Sequence, residues 1–139
     1  MVFKLNISDK GKAWRTQLEG EALVGKKLGE KVSGSEISVD LEGYELEITG
    51  APDTSGFPYK KDLQGQELKR VMFTRGWGMR DKTKGLRLRK SVRGNQLSEK
   101  TALVNLKVLK HGKKHLSEIF ADQNKPKEAA PNAATAPAQ

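Results

Sequence analysis

Apolar and polar side chains alternate one by one along most of this chain. Lys4 and Asn6 separate Phe3, Leu5 and Ile7; Arg15 and Gln17 separate Trp14, Thr16 and Leu18. Tyr44, Leu46 and Ile48 alternate with Glu45 and Glu47, and Val104, Leu106 and Val108 with Asn105 and Lys107. A period of two sends alternate side chains to opposite faces, so each segment predicts a strand with one buried face. Arg70 to Phe73 is a shorter strand candidate, and Leu86 to Val92 a basic one. Ile37, Val39 and Leu41 also alternate, and Glu42-Gly43 before Tyr44 fits a two-residue hairpin turn. His115, Leu116, Ile119 and Phe120 share a helical face and predict one amphipathic segment of about two turns. With fourteen glycines between these runs, the pattern predicts an all-β fold: a small twisted barrel-like domain with one short C-terminal helix.

A length of 139 residues fits one domain. Residues 125–139 hold six Ala and three Pro but no large apolar side chain, so burial cannot offset the entropy of ordering them. The expected organisation is a folded domain over 1–121 and a disordered Ala/Pro-rich tail over 122–139. Cys is absent, which removes disulfides, thiol nucleophiles and Cys-based zinc sites. No apolar run approaches the length of a membrane span, and Lys4, Asn6, Asp9, Lys10 and Lys12 occupy the place of a signal peptide's apolar core. A cytoplasmic protein with no membrane partner is expected.

The chain carries 26 Lys plus Arg against 17 Asp plus Glu, a net charge of +9. That excess is localised. Residues 1–53 are net −3, residues 54–94 are net +9, and residues 95–139 are net +3. From Arg75 to Arg93, eight cations face one acid. A density of that kind repels itself unless an anion lies against it, which points to nucleic acid.

Candidate catalytic and metal groups are sparse. Gly20 to Lys26 has the G-x4-G-K spacing of a phosphate loop, but Lys27 stands where Ser or Thr would hold magnesium, so a turn is expected. Gly76-Trp77-Gly78 begins a dinucleotide fingerprint that Asp81 breaks. His111 and His115 have i, i+4 spacing, but Gly112 weakens a helix there and Lys113 and Lys114 repel a cation. Asp40, Glu42, Glu45 and Glu47 form one acidic cluster, read as a wet strand face because a general acid needs desolvation. No enzyme activity, metal or cofactor is expected.

The basic block is different in kind. Strand alternation puts Arg87, Arg89, Ser91 and Arg93 on one face, with Leu86, Leu88 and Val92 on the other. Arginine forks bind phosphate oxygens bidentately, and such a strip can track a phosphate backbone. The candidate RNA-binding residues are Lys60, Lys61, Lys69, Arg70, Arg75, Trp77, Arg80, Lys82, Lys84, Arg87, Arg89, Lys90 and Arg93. Trp77 either stacks on an unpaired base or closes one end of the barrel. Gly56, Gly76, Gly78, Gly85 and Gly94 would let the backbone turn close to RNA.

Two segments then ring together: Thr49-Gly-Ala-Pro-Asp-Thr-Ser-Gly-Phe-Pro58 and Arg87-Leu-Arg-Lys-Ser-Val-Arg-Gly-Asn95. With the strands at Lys4 to Ile7 and Val104 to Val108 in matching order, the chain resembles small-subunit ribosomal protein six of the archaeal and eukaryotic type over residues 2 to 121. It departs at Tyr59, where members usually have Met, and at Asp81, Leu86 and Leu88, which thin the basic loop. The eukaryotic C-terminal helix with its phosphorylated serines is missing, so the resemblance is to the archaeal type. It implies a turn and short helical piece near 33 to 43 and a structural role in the small ribosomal subunit. The implied partners are ribosomal RNA and neighbouring ribosomal proteins. The protein is then ribosome-associated, and monomeric when free. A free-standing RNA- or DNA-binding regulator is the alternative that composition alone allows.

Overall fold

The computed structural model describes residues 2–124; the tail residues 125–139 lie outside them. Strands β1 (Val2–Asp9) and β2 (Lys12–Glu19) form an antiparallel hairpin. Its two turn residues, Lys10 and Gly11, have φ of 44° and 80°, the left-handed pair whose twist suits adjoining strands. The short β3 (Lys31–Ser33) pairs with β4 (Glu45–Gly50), and two strands, β5 (Leu68–Phe73) and β6 (Leu88–Arg93), form a ribbon of their own. The last strand, β7 (Leu103–Lys110), inserts between β1 and β4, parallel to the first and antiparallel to the second. The main sheet therefore runs β2-β1-β7-β4-β3.

The all-β class stands, but the sheet does not close into a barrel. β2 and β3 remain its edges because neither β5 nor β6 pairs with a strand of the main sheet. The alternation resolves as one buried face. Phe3 lies opposite Leu18, Ile7 opposite Trp14 and Leu106, Leu5 opposite Val104, and Leu46 opposite Val32 and Val108. All of these are buried. Loop residues Leu23, Leu28, Ile37, Leu41, Tyr59 and Leu97 close over that face and complete the core.

The hairpin expected through Ile37, Val39 and Leu41 is absent. Gly34–Glu36 and Val39–Leu41 are single 3-10 turns, as the resemblance implied for this region. Ile37 and Leu41 fold onto the core while Val39 is 86% exposed, so their alternation records a loop lid rather than a strand. The amphipathic C-terminal segment is α1 (Leu116–Ile119), one turn rather than two, with Leu116 buried and Ile119 and Phe120 packed on the core.

Residues 122–124, assigned with the tail at the sequence level, lie against β2. Gln123 accepts from the Arg15 N–H and donates to the Arg15 carbonyl, both at 2.6 Å, and Asn124 Nδ2 donates to the Ala13 carbonyl at 2.6 Å. The glutamine amide thus imitates a peptide unit along an otherwise unpaired edge.

Candidate nucleic-acid interface

The ribbon is where the charge lies. Its register sets Arg70 opposite Ser91, Met72 opposite Arg89 and Leu68 opposite Arg93, so these six residues start from one face. Phe73 and Val92 belong to the other face and are buried. Arg70 and Arg89, which come from different strands, are thus neighbours on the exposed face. In the sequence they stand nineteen residues apart. Arg75, Arg80, Lys82, Lys84 and Arg87 all lie exposed on the loop 74–87 that joins the strands, while Lys61 and Lys69 are exposed nearby.

Three of the named cations are used internally. Lys90 is half-buried and donates to the Gly78 carbonyl at 3.0 Å, holding the loop to β6. Lys60 sits with its Nζ 5.0 Å from the centre of the Phe73 ring, a cation–π contact. Arg93 is turned inward, with its side chain 12% exposed. Its Nε donates to Asp53 Oδ2 at 2.8 Å and its Nη1 to the Gln66 carbonyl at 2.9 Å.

Asp53, missed as a functional position in the sequence, is 3% exposed. Burial by itself raises the pKa of this carboxyl. The Arg93 guanidinium and the N–H and hydroxyl of Thr54, at 2.7 and 3.2 Å, outweigh burial and hold it below its ordinary value. Around that pair the backbones interlock. Arg93 N–H donates to the Pro58 carbonyl and Lys60 N–H to the Arg93 carbonyl, each at 2.9 Å, and Asn95 N–H donates to the Leu63 carbonyl at 2.6 Å. The two segments that carry the family resemblance therefore meet in space, and the meeting fixes the ribbon to the body. The hint in the sequence is that one segment holds an acid and the other a base.

Gly94 has a packing role rather than the RNA-facing one read from sequence. A Cβ there would lie 2.0 Å from the Gly65 carbonyl oxygen, so the close passage of two backbones requires glycine. Tyr59 is buried, and its hydroxyl meets Thr101 Oγ1 at 2.7 Å and Ser98 Oγ at 3.2 Å, so the phenol's polar end is satisfied inside the core.

The remaining ion pairs between described side chains are Lys26–Glu36, Lys110–Glu45 and His111–Asp9, and they take in none of the candidate RNA-binding cations. The Lys110 ammonium, 2.9 Å away, holds Glu45 below the usual carboxylate range, the opposite of what a general acid needs. His111 bonds to Asp9 at 2.7 Å, and His115 caps α1 from outside it, so the two imidazoles do not share a helix. Residues 20 to 26 form a turn between β2 and β3, with Leu23 buried in the core.

Comparison with known proteins gives the same direction. The family described as ribosomal protein S6e matches residues 3–121. A protein of Methanococcus maripaludis named small ribosomal subunit protein eS6 is 46% identical over 114 residues, covering 81% of this chain and 90% of its own. Its namesake in Archaeoglobus fulgidus is 42% identical over 125 residues, with 86% and 96% covered. A third, from Methanosphaera stadtmanae, is 37% identical over 131 residues, with 92% and 99% covered. A match of this extent includes both interlocked segments, the ribbon and every strand of the main sheet, and the chain belongs to the ribosomal protein S6e family.

Proposed function

We propose that this protein is a structural constituent of the small ribosomal subunit and binds ribosomal RNA through the loop and strand of residues 75–93. Arg70 and Arg89 on the exposed face of the ribbon, and Arg75, Arg80, Lys82, Lys84 and Arg87 on the loop, form the phosphate contact, with Lys61 and Lys69 beside it. Lys60, Lys90 and Arg93 hold the interface in shape. The observation that carries this reading is the concentration of exposed cations on a two-stranded ribbon with no carboxylate paired to them among the described residues. Their mutual repulsion is relieved when phosphates neutralise them, and the counterions released make the affinity steeply salt-dependent. The partners are ribosomal RNA and the adjoining subunit proteins, met by a monomer in the cytoplasm.

Gradient sedimentation of cell lysate at low salt tests the reading. The protein is expected to travel with small subunits and to be released as salt rises. If it stays at the top of the gradient at low salt, a free-standing nucleic-acid-binding module is the better description.

A further inference from the structure

One cleft adjoins the basic loop, and phosphate contacts do not explain it. It offers about 420 Å³ between the segment 59–62 and the aromatic pair Phe73 and Trp77, with Lys60, Lys61, Asp62 and Leu28 among its walls. That volume lies at the small end of ligand sites, which run from about 300 to 1,000 Å³. Trp77 is 55% exposed. The rings of Phe73 and Trp77 are 5.6 Å apart and inclined at 57°, so Phe73 supports the indole without stacking on it. A large aromatic surface is thereby left open in a wall shared with Lys61, Asp62 and the Lys60 that lies over Phe73.

Both walls are held in place. Asn95 Nδ2 donates to the Lys61 carbonyl at 3.3 Å, and the backbone of Lys60 is bonded to that of Arg93, so the lysine wall is attached to the interlocked segments. The aromatic wall is fixed on one side by buried Phe73 and on the other by the bond from Lys90 to Gly78. Arg75 and Arg80 flank Trp77 in sequence and are exposed on the same loop.

We infer that this cleft takes one unpaired nucleotide of the bound RNA, its base stacked on Trp77 and its phosphate held by Lys61. A base in a continuous duplex is covered by its neighbours and cannot enter. A bulged or looped base presents its face to an aromatic side chain and carries an anion at the matching end. The inference rests on the RNA-binding reading above and adds to it a preference for RNA with an unpaired residue.

The test uses the full chain and two RNA hairpins, one fully paired and one identical but for a single bulged 2-aminopurine. The wild type is expected to bind the bulged hairpin more tightly and to quench its fluorescence. Trp77→Ala should weaken binding to that hairpin by roughly tenfold or more and abolish the quenching, while leaving affinity for the paired hairpin unchanged. Trp77→Phe, which keeps a ring, should restore most of the lost affinity. Equal affinity of the wild type for both hairpins overturns the inference, as does equal weakening of both by Trp77→Ala, which would mark the indole as a support of the loop. If the wild type binds neither hairpin, the RNA-binding reading itself fails and this one with it.

Discussion

Arg93 and Asp53 form a buried ion pair, 2.8 Å between Nε and Oδ2, that links segments forty residues apart. The pair turns a residue that looks like part of a phosphate strip into the fastener between the ribbon and the main sheet. It also separates two properties that the sequence leaves entangled, stability and RNA affinity.

Replacing Arg93 by Gln should therefore act on folding. Removing one partner leaves the Asp53 carboxylate buried without its main donor, at a cost of roughly 3 kcal/mol, read as a lower urea midpoint. The salt dependence of RNA binding should hold its slope. Arg87→Gln with Arg89→Gln should do the reverse, reducing the slope by about two phosphates while moving stability by less than about 0.5 kcal/mol. A flattened slope with an unchanged midpoint in Arg93→Gln would show that the pair does not persist in solution.

The same pair predicts an acid sensitivity with a definite sign. The Asp53 carboxyl is held below its ordinary value in the folded state, so its charge stabilises the protein above the unfolded-state pKa. That contribution is lost as pH falls through the lower, folded value. Stability measured by urea titration at a series of pH values should fall on acidification in the wild type. Asp53→Asn, already weakened at neutral pH, should show a shallower fall, and parallel curves for the two proteins would refute the assignment.

At Gly94 the constraint is space. Gly94→Ala puts a methyl group 2.0 Å from the Gly65 carbonyl oxygen, backbone against backbone, with no flexible side chain to move aside. A loss of about 2 kcal/mol or more is expected, seen as a lower melting temperature. A melting temperature equal to the wild type's would mean that the passage from β6 into Asn95 is looser than described.

The edge of β2 gives a prediction about local opening. Gln123→Ala removes both bonds to Arg15, and hydrogen exchange at the Arg15 amide should accelerate while that of β1 amides stays slow. Global stability should fall by only about 0.5–1 kcal/mol, because the contact is exposed. Unchanged exchange at Arg15 would place residues 122–124 away from the sheet in solution.

How much of this was legible in the chain follows from the range over which each signal acts. The period-two runs at Phe3, Trp14, Leu46 and Val104 predict strands because a half-buried strand must alternate, whatever its neighbours are. The same rule failed at Ile37 to Leu41, where two apolar residues reach the core from 3-10 turns with the same spacing. The charge excess at residues 75–93 marked the region, since local repulsion is a property of sequence alone. Which cations remain free was not marked: Arg89 and Arg93 are four residues apart on one face and have opposite fates, because an acid forty positions from Arg93 reaches only one of them.

The sequence by itself determined the all-β class, the single basic region and the family, since each rests on composition, alternation or order along the chain. Tertiary structure alone decided that the sheet stays open and that Arg70 joins Arg89 across the ribbon. It also decided that Arg93 serves Asp53 and that Trp77 faces a cleft. These depend on strand register and on contacts between residues far apart in the chain, and a one-residue change of register would exchange the two faces of the ribbon without altering any local pattern.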